Sequence, residues 1–150
     1  MNYTKLQPIR KNMTLDTARK SKQISRARQK KTDEIFTNQY CTDLLISMFD
    51  EEAFHPGKTF LEPAAGDGNL VEAIFQKKLK YCTPTEALRD IYAVEYMKDN
   101  WEFLCARMLR LAGDTPEHRE IISQNIAYAN TLDPSDTTEG RSFPEWLELR

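Results

Sequence analysis

The spacing of apolar residues divides residues 35–132 of this 150-residue chain into alternating helical and extended segments. Apolar residues recur every three or four positions in the helical segments, whereas β-branched and aromatic residues follow one another in the extended ones. The predicted elements are a helix over 39–49, a strand over 58–62, helices over 69–80 and 85–89, a strand over 90–95, a helix over 99–112, a helical turn over 117–123 and a strand over 126–129. Strands that alternate with amphipathic helices form a parallel sheet with right-handed crossovers, so the pattern predicts an α/β fold.

Charge separates a basic N-terminal arm, residues 1–33, from a folded domain over residues 34–150. The arm has ten Lys and Arg against two acids, a net charge of +8; the remainder has eleven against twenty-one, or −10, which together give −2. A helix is expected from Asp16 to about Lys30. A basic arm beside an acidic body either contacts nucleic acid or docks on that body. The candidate nucleic-acid contacts are Arg19, Lys20, Lys22, Arg26, Arg28, Lys30 and Lys31.

Composition is typical of a soluble globular protein, with 40% hydrophobic and 29% charged residues. No apolar run approaches the length of a membrane helix, and the N-terminus lacks the apolar core of a signal peptide, so a cytoplasmic location is expected. The three cysteines form no Cys-x-x-Cys pair and neither histidine has ligand-like neighbours, so no metal site is predicted. Cys41 and Cys105 are expected to be buried thiols rather than nucleophiles, since no base accompanies them.

A glycine-containing turn directly follows the first predicted strand. Gly66 and Gly68 leave the backbone open to close approach by a ligand. The dinucleotide fingerprint requires a third glycine, and Val71 stands at that position. Glu95 ends the second strand, where an acid suits hydrogen bonding to ribose hydroxyls. An ordinary turn and a solvated acid are the alternatives for each feature alone; the two features together favour a ribose-containing ligand.

Residues 62–69, Glu-Pro-Ala-Ala-Gly-Asp-Gly-Asn, resemble the cofactor motif of adenine-specific DNA methyltransferases, (Asp/Glu)-Pro-(Ala/Ser)-(Cys/Ala)-Gly-x-Gly-Asn-(Phe/Leu). Residues 35–40 resemble the family's (Phe/Tyr)-Thr-Pro element, although Asn38 replaces the usual proline. Residues 92–95 resemble the strand that ends in the ribose-binding acid, and residues 125–132 resemble the segment that lines the adenine. The resemblance implies an incomplete or minimal Rossmann-like methyltransferase sheet that binds S-adenosylmethionine.

The same resemblance assigns parts of the cofactor to particular residues. The backbone of residues 64–68 would hold the methionine end, with Glu62 or Asp67 at its amino group. Glu95 would hold the ribose, and Tyr96 or Met97 would stack on the adenine or belong to the core. Thr37 and Asn130 would flank the methionine and the adenine. The full set of implied cofactor-binding residues is Thr37, Glu62, Ala64, Gly66, Asp67, Gly68, Asn69, Glu95, Tyr96 and Asn130.

The family's catalytic element, (Asn/Asp/Ser)-Pro-Pro-(Tyr/Phe), has no counterpart, because the chain contains no Pro-Pro pair. Asp133-Pro134 is expected to form a turn, and Trp146 is expected to be a packing residue. No catalytic residue is therefore assigned. A DNA adenine methyltransferase and a catalytically inactive S-adenosylmethionine-binding or regulatory subunit both stay open, as does an interaction protein with a vestigial turn.

The predicted sheet is short for this family, with three clear strands where about seven are usual. The first strand would then lie at an open edge, which is a liability for a strand of the buried type. Either residues 146–150 supply a further strand or a partner covers the edge. We therefore expect a homodimer or a heteromeric complex.

Overall fold

The structure is a computed structural model that describes residues 25–32 and 34–148, and it is a mixed α/β fold with a three-stranded parallel sheet. The described helices are α1 (Arg26–Thr32), α2 (Gln39–Ser47), α3 (Asn69–Lys78), α4 (Pro84–Arg89), α5 (Lys98–Ala112) and α6 (Pro116–Asn125). The strands are β1 (Phe60–Glu62), β2 (Ile91–Glu95) and β3 (Ile126–Tyr128), and single 3-10 turns cover Glu51–Phe54, Thr138–Gly140 and Glu145–Leu147. The predicted α/β class is confirmed. Within the described part of the chain, every helix is too short or too polar to cross a membrane.

Three helices begin at a side chain that accepts a backbone N–H of the first turn. Asn38 caps α2 by accepting from Cys41 N–H at 2.9 Å. Thr83 caps α4 in a capping box, and Thr115 caps α6. Such caps satisfy N–H groups that have no partner inside the helix. Asn38 therefore has a local structural role at the position where the resembling family has proline.

β2 lies at the centre of the sheet, parallel to β1 on one side and β3 on the other. Phe60, Ile91 and Ile126 point to one face, where they pack with buried residues of helices α3 to α6. Residues that alternate with these point to the opposite face. There the Trp146 ring lies 5.1 Å from the Tyr92 ring, centroid to centroid. The prediction that Trp146 is a packing residue is confirmed.

β1 is one of the two edge strands of the sheet, and it is the edge for which a cover was predicted. Phe60 N–H donates to Asp90 C=O on the β2 side at 2.8 Å, so the N–H and C=O of Leu61 point away from β2. The segment Glu145–Leu147 is a 3-10 turn against the face of β2, so through Glu148 it supplies no strand to this edge. The structure was predicted to cover this edge either with a strand over residues 146–150 or with a partner. The described residues of that segment form no strand.

A buried ion pair fixes the loop that enters β1. Lys78 Nζ lies 2.9 Å from Asp90 Oδ2 and donates to the C=O groups of His55 and Lys58 at 3.0 and 2.9 Å. Gly57 N–H donates to the same Asp90 oxygen at 2.8 Å. The charges of Lys78 and Asp90 compensate each other at the amino ends of the strands. This ion pair therefore does not occupy the carboxyl ends of the strands.

One expectation is wrong, and another falls mostly on residues that the structure does not describe. The helix predicted from Asp16 to Lys30 lies mostly outside the described residues, and the chain is helical from Arg26 to Thr32. Cys41 is exposed rather than buried, because it lies on the outward side of α2. Cys105 is buried as expected, and burial raises the pKa of its thiol.

Candidate cofactor site at the carboxyl ends of the strands

The turn between β1 and α3 requires glycine at two positions. Gly66 and Gly68 have φ values of +57° and +93°, in the region that side chains disfavour. A Cβ built on Gly68 would overlap the Cδ1 atom of Leu104, a fully buried residue of α5. Ala65 N–H donates to Val94 C=O at 2.9 Å, so the turn stays attached to β2 beyond the end of β1. The backbone of the turn is therefore held close against both β2 and α5.

Glu95 holds the same turn from the end of β2. Its Oε2 atom accepts from Gly66 N–H at 2.7 Å and its Oε1 atom accepts from Met97 N–H at 2.7 Å. The residue is 6% exposed, so it is not a solvated acid at a strand end. Burial raises the pKa of Glu95, and the two backbone hydrogen bonds oppose that rise. The Asn100 side chain also hydrogen-bonds Glu95. A carboxylate has about four acceptor sites, so Glu95 retains capacity for a ligand hydroxyl beside these three hydrogen bonds.

Arg107, which no sequence motif predicted as a site residue, anchors the turn from α5. Its Nη1 atom donates to Asp67 C=O at 3.1 Å and to Asn69 Oδ1 at 3.0 Å, and its Nε atom donates to Glu72. Asn69 Nδ2 in turn donates to Thr37 C=O at 2.8 Å. Arg107 is 3% exposed. The one sequence signal for this role is that Arg107 falls among the apolar positions of α5, where a charged residue is rarely buried without a partner.

The segment before α2 covers the turn. The Phe36 ring lies 3.2 Å from the position that a Cβ on Gly66 would occupy. Two residues earlier, Glu34 accepts from Arg28 Nε at 2.6 Å and from Asn100 Nδ2 at 2.7 Å. The hydrogen bond from Arg28 is the main reason that the pKa of Glu34 falls to about 2. Residues 34–37 are therefore held over the carboxyl ends of β1 and β2.

The loop after β3 closes the other side of this region. Thr131 Oγ1 donates to Pro63 C=O at 2.6 Å, which joins this loop to the turn after β1. Asn130 organises the loop itself, because its Nδ2 atom donates to Asp136 Oδ2 at 3.0 Å and its Oδ1 atom accepts from Leu132 N–H at 3.0 Å. The carboxyl ends of the three strands are thus bounded by segments that contact one another.

Tyr96 lies at the rim of the region and not in the core. It is 46% exposed, and the Arg141 guanidinium carbon lies 3.9 Å from its ring centroid. Arg141 Nε also donates to Tyr96 C=O at 3.0 Å. One face of the ring therefore stacks on a buried cation. Nearly half of the residue's surface remains accessible.

The structure brings most of the predicted cofactor residues together at this edge of the sheet. Hydrogen bonds connect Thr37 with Asn69 and Gly66 with Glu95, and Arg107 bonds both Asp67 and Asn69. Glu62 turns back and accepts from Ala64 N–H at 3.0 Å. Gly68 is the residue of the turn that lies against Leu104, and Tyr96 and Asn130 lie on the loops that follow β2 and β3.

The basic residues of the arm divide into two groups. Arg19, Lys20 and Lys22 lie outside the described residues. Within α1, Arg26, Lys30 and Lys31 are exposed. Arg28 instead bonds two acids of the body, Glu34 and Asp99, the latter from Nη2 to Oδ1 at 3.0 Å. Arg28 therefore docks on the body, which is one of the two alternatives expected for the basic arm.

Among residues 25–32 and 34–148, no three His, Cys, Asp or Glu side chains are grouped so that they could hold a metal ion. Comparison with protein-family models, with curated proteins and with solved structures found no match to this chain. A proposal for the function therefore depends on the geometry of the site and on the motifs in the sequence.

Proposed function

We propose that this chain binds S-adenosylmethionine outside the carboxyl ends of β1 and β2. One observation carries the proposal: the two-glycine turn after β1 lies against Glu95, the acid that ends β2. Ligands of open parallel sheets bind at the carboxyl ends of the strands, with glycine near the ligand and an acid at the ribose. Val71 removes the third glycine of a dinucleotide site, and Pro63 and Asn69 favour the methyltransferase motif.

The residues of the site suit the separate parts of this cofactor. Glu95 would accept hydrogen bonds from the ribose hydroxyls, and the backbone around Gly66 would lie beside the methionine part. A carboxylate, Glu62 or Asp67, would compensate the positive amino group. The accessible surface of Tyr96 offers a stacking partner for the adenine. S-adenosylmethionine, when bound, would supply a methyl group on a sulfonium, which is a good leaving group.

We further propose that the chain acts in the methylation of an adenine amine in DNA. The exposed Arg26, Lys30 and Lys31 of α1 provide positive charge for phosphate contacts near the cofactor region. An inactive binding or regulatory subunit is the second candidate. The missing Pro-Pro element favours it, because in the resembling family that element holds the target amine.

Isothermal titration calorimetry with S-adenosylmethionine tests the cofactor proposal. We expect saturable binding by the full chain and at least a tenfold loss of affinity in Glu95→Ala, since a hydrogen bond to a charged group contributes about 1.5–3 kcal/mol. Glu102→Ala is the matched control, because Glu102 is an exposed acid on α5. An absence of binding at millimolar ligand, or equal affinity in Glu95→Ala and wild type, would contradict the proposal.

Transfer of labelled methyl to duplex DNA separates the two candidate functions. The measurement uses the chain that binds S-adenosylmethionine, alone and with candidate partner proteins. Incorporation by the chain alone, lost in Glu95→Ala, identifies a methyltransferase. Incorporation that requires a partner identifies a subunit. Binding without incorporation in either case would refute the proposed role in DNA methylation and leave the cofactor site standing.

A further inference from the structure

The outward side of α2 is apolar, which is the reverse of an ordinary surface helix. Thr42 is buried and Ile46 packs against the core, so these two residues define the inward side. A helix turns about 100° per residue, which places Leu44 about 200° from each of them, at the centre of the outward side. Leu44 is 51% exposed, and Tyr40 and Met48, one turn on either side, are 76% and 74% exposed.

Five large apolar side chains that are at least 40% exposed make up this surface, which we name the α2 patch: Tyr40, Leu44, Leu45, Met48 and Phe49. Phe49 lies at its border, beyond the end of the helix, and its ring also packs on Phe54 and Phe60. A fully exposed large side chain presents roughly 200 Å², so the exposed fractions correspond to about 600 Å² of apolar surface. That area is at the upper end of the largest apolar patch on a typical monomer. Asp43, the one charged residue of α2, lies on its flank and accepts from Gln39 Nε2 at 2.7 Å. The centre of the α2 patch carries no charge.

We propose that the α2 patch is a homodimer interface, in which α2 packs antiparallel against α2 of a second copy about a two-fold axis beside Leu44. A two-fold interface requires a surface that is complementary to itself. Tyr40 and Met48 lie at equal distances along the helix from Leu44, so the axis brings each tyrosine ring to the methionine sulfur of the other copy. Contacts between sulfur and aromatic rings are favourable.

The area of the α2 patch is consistent with a second copy of the chain as its partner. Two α2 patches that cover each other bury about 1,200 Å² in total, at the lower limit for a specific protein interface. The absence of charge at the centre means that no like charges meet at the axis. The interface proposal rests on the exposure of the α2 residues and not on the cofactor proposal.

The free edge of β1 is a weaker candidate for the same contact. It has three residues, and only Leu61 directs its N–H and C=O outward. Pro63 follows directly and has no N–H to donate, which is a common way to limit pairing at an edge. Strand pairing alone would therefore supply few hydrogen bonds, whereas the α2 patch supplies five exposed apolar side chains.

Light scattering after gel filtration of the full chain, from micromolar to submillimolar concentration, tests the proposal. We expect a mass twice that of one chain, and a monomer in Leu44→Glu, with the dimer weakened by about a hundredfold or more because a carboxylate would be buried without a partner. Leu132→Glu is the matched control, since Leu132 is 94% exposed and outside the patch. Circular dichroism checks that both variants fold. A monomeric wild type, or a dimer that survives Leu44→Glu, overturns the proposal.

Disulfide trapping tests the position of the axis. Leu44→Cys is introduced in a Cys41→Ser background, and an added oxidant then removes two electrons and two protons from the pair of facing thiols. We expect a covalent dimer for Leu44→Cys and little for Leu132→Cys in the same background. A stable dimer that Leu44→Cys does not trap would refute a two-fold axis beside Leu44.

Discussion

Gly68 makes the sharpest test of how the turn is built, through the substitution Gly68→Ala. Its φ of +93° disfavours any side chain, at a cost of about 1–2 kcal/mol. The new Cβ would also overlap Cδ1 of Leu104, so this fully buried side chain would have to shift within the core. Overpacking of this kind costs about 1–3 kcal/mol. The free energy of unfolding should therefore fall by about 2–5 kcal/mol, a large part of the stability of a small domain.

Urea denaturation, followed by circular dichroism, measures this loss against two controls. Gly57→Ala has a similar φ of +81° but nothing within 4 Å of the new Cβ, so it should show the backbone cost alone. In a Leu104→Ala background the nearest remaining Leu104 atom is Cβ at 3.8 Å, and Gly68→Ala should then cost no more than Gly57→Ala. Equal losses for Gly68→Ala and Gly57→Ala in the wild-type background would refute the overlap.

Three further predictions concern buried groups. Lys78→Met should lower the free energy of unfolding by about 3–5 kcal/mol, because Asp90 would keep a buried charge without its cation; a chemical denaturation curve measures the loss, and a neutral result would contradict the role of the pair. Arg28 lowers the pKa of Glu34 to about 2, so this pair stabilises the folded state above pH 4.5. Its contribution to the free energy of unfolding is lost as the pH falls from about 4.5 towards 2. The melting temperatures of wild type and Glu34→Gln should therefore converge over that range. Cys105, whose pKa is raised by burial, should resist maleimide in the native protein and react on unfolding, as mass spectrometry would show; rapid native labelling would mean that α5 opens.

The order of helices and strands could be predicted because each type of element has its own apolar period. The ends were harder, since they depend on partners elsewhere in the chain. The last helix was expected as one turn over 117–123 and is a ten-residue helix, α6. Its mean composition is polar, and Thr115 and Pro116 provide the start signal that apolar spacing does not contain. Phe54 lies between the predicted helix over 39–49 and the predicted strand over 58–62, where no element was predicted, and it is fully buried and stacked on Phe60 at 5.3 Å.

The candidate site was predictable only where its residues are close in sequence. The two-glycine turn is a local pattern, and Glu95 has a fixed position at the end of the neighbouring strand. Arg107 contacts Asp67 across 40 positions in the sequence, and no local pattern relates the two. The exposure of Cys41 was missed for a similar reason, because periodicity identifies an apolar side of α2 without indicating whether that side faces the core.

The segment from Phe36 to Phe49 connects the proposed cofactor site with the proposed interface. Phe36 covers Gly66, Thr37 C=O accepts from Asn69, and Asn38 caps α2, so the helix begins two residues after the tether at Thr37. A contact that fixes α2 therefore also restrains the cover of the site. If dimerisation changes the affinity for S-adenosylmethionine by some factor, the cofactor must change the dimerisation constant by the same factor. Titration of the cofactor into wild type and Leu44→Glu measures that factor, and equal affinities would show that the two sites are independent although they share this segment.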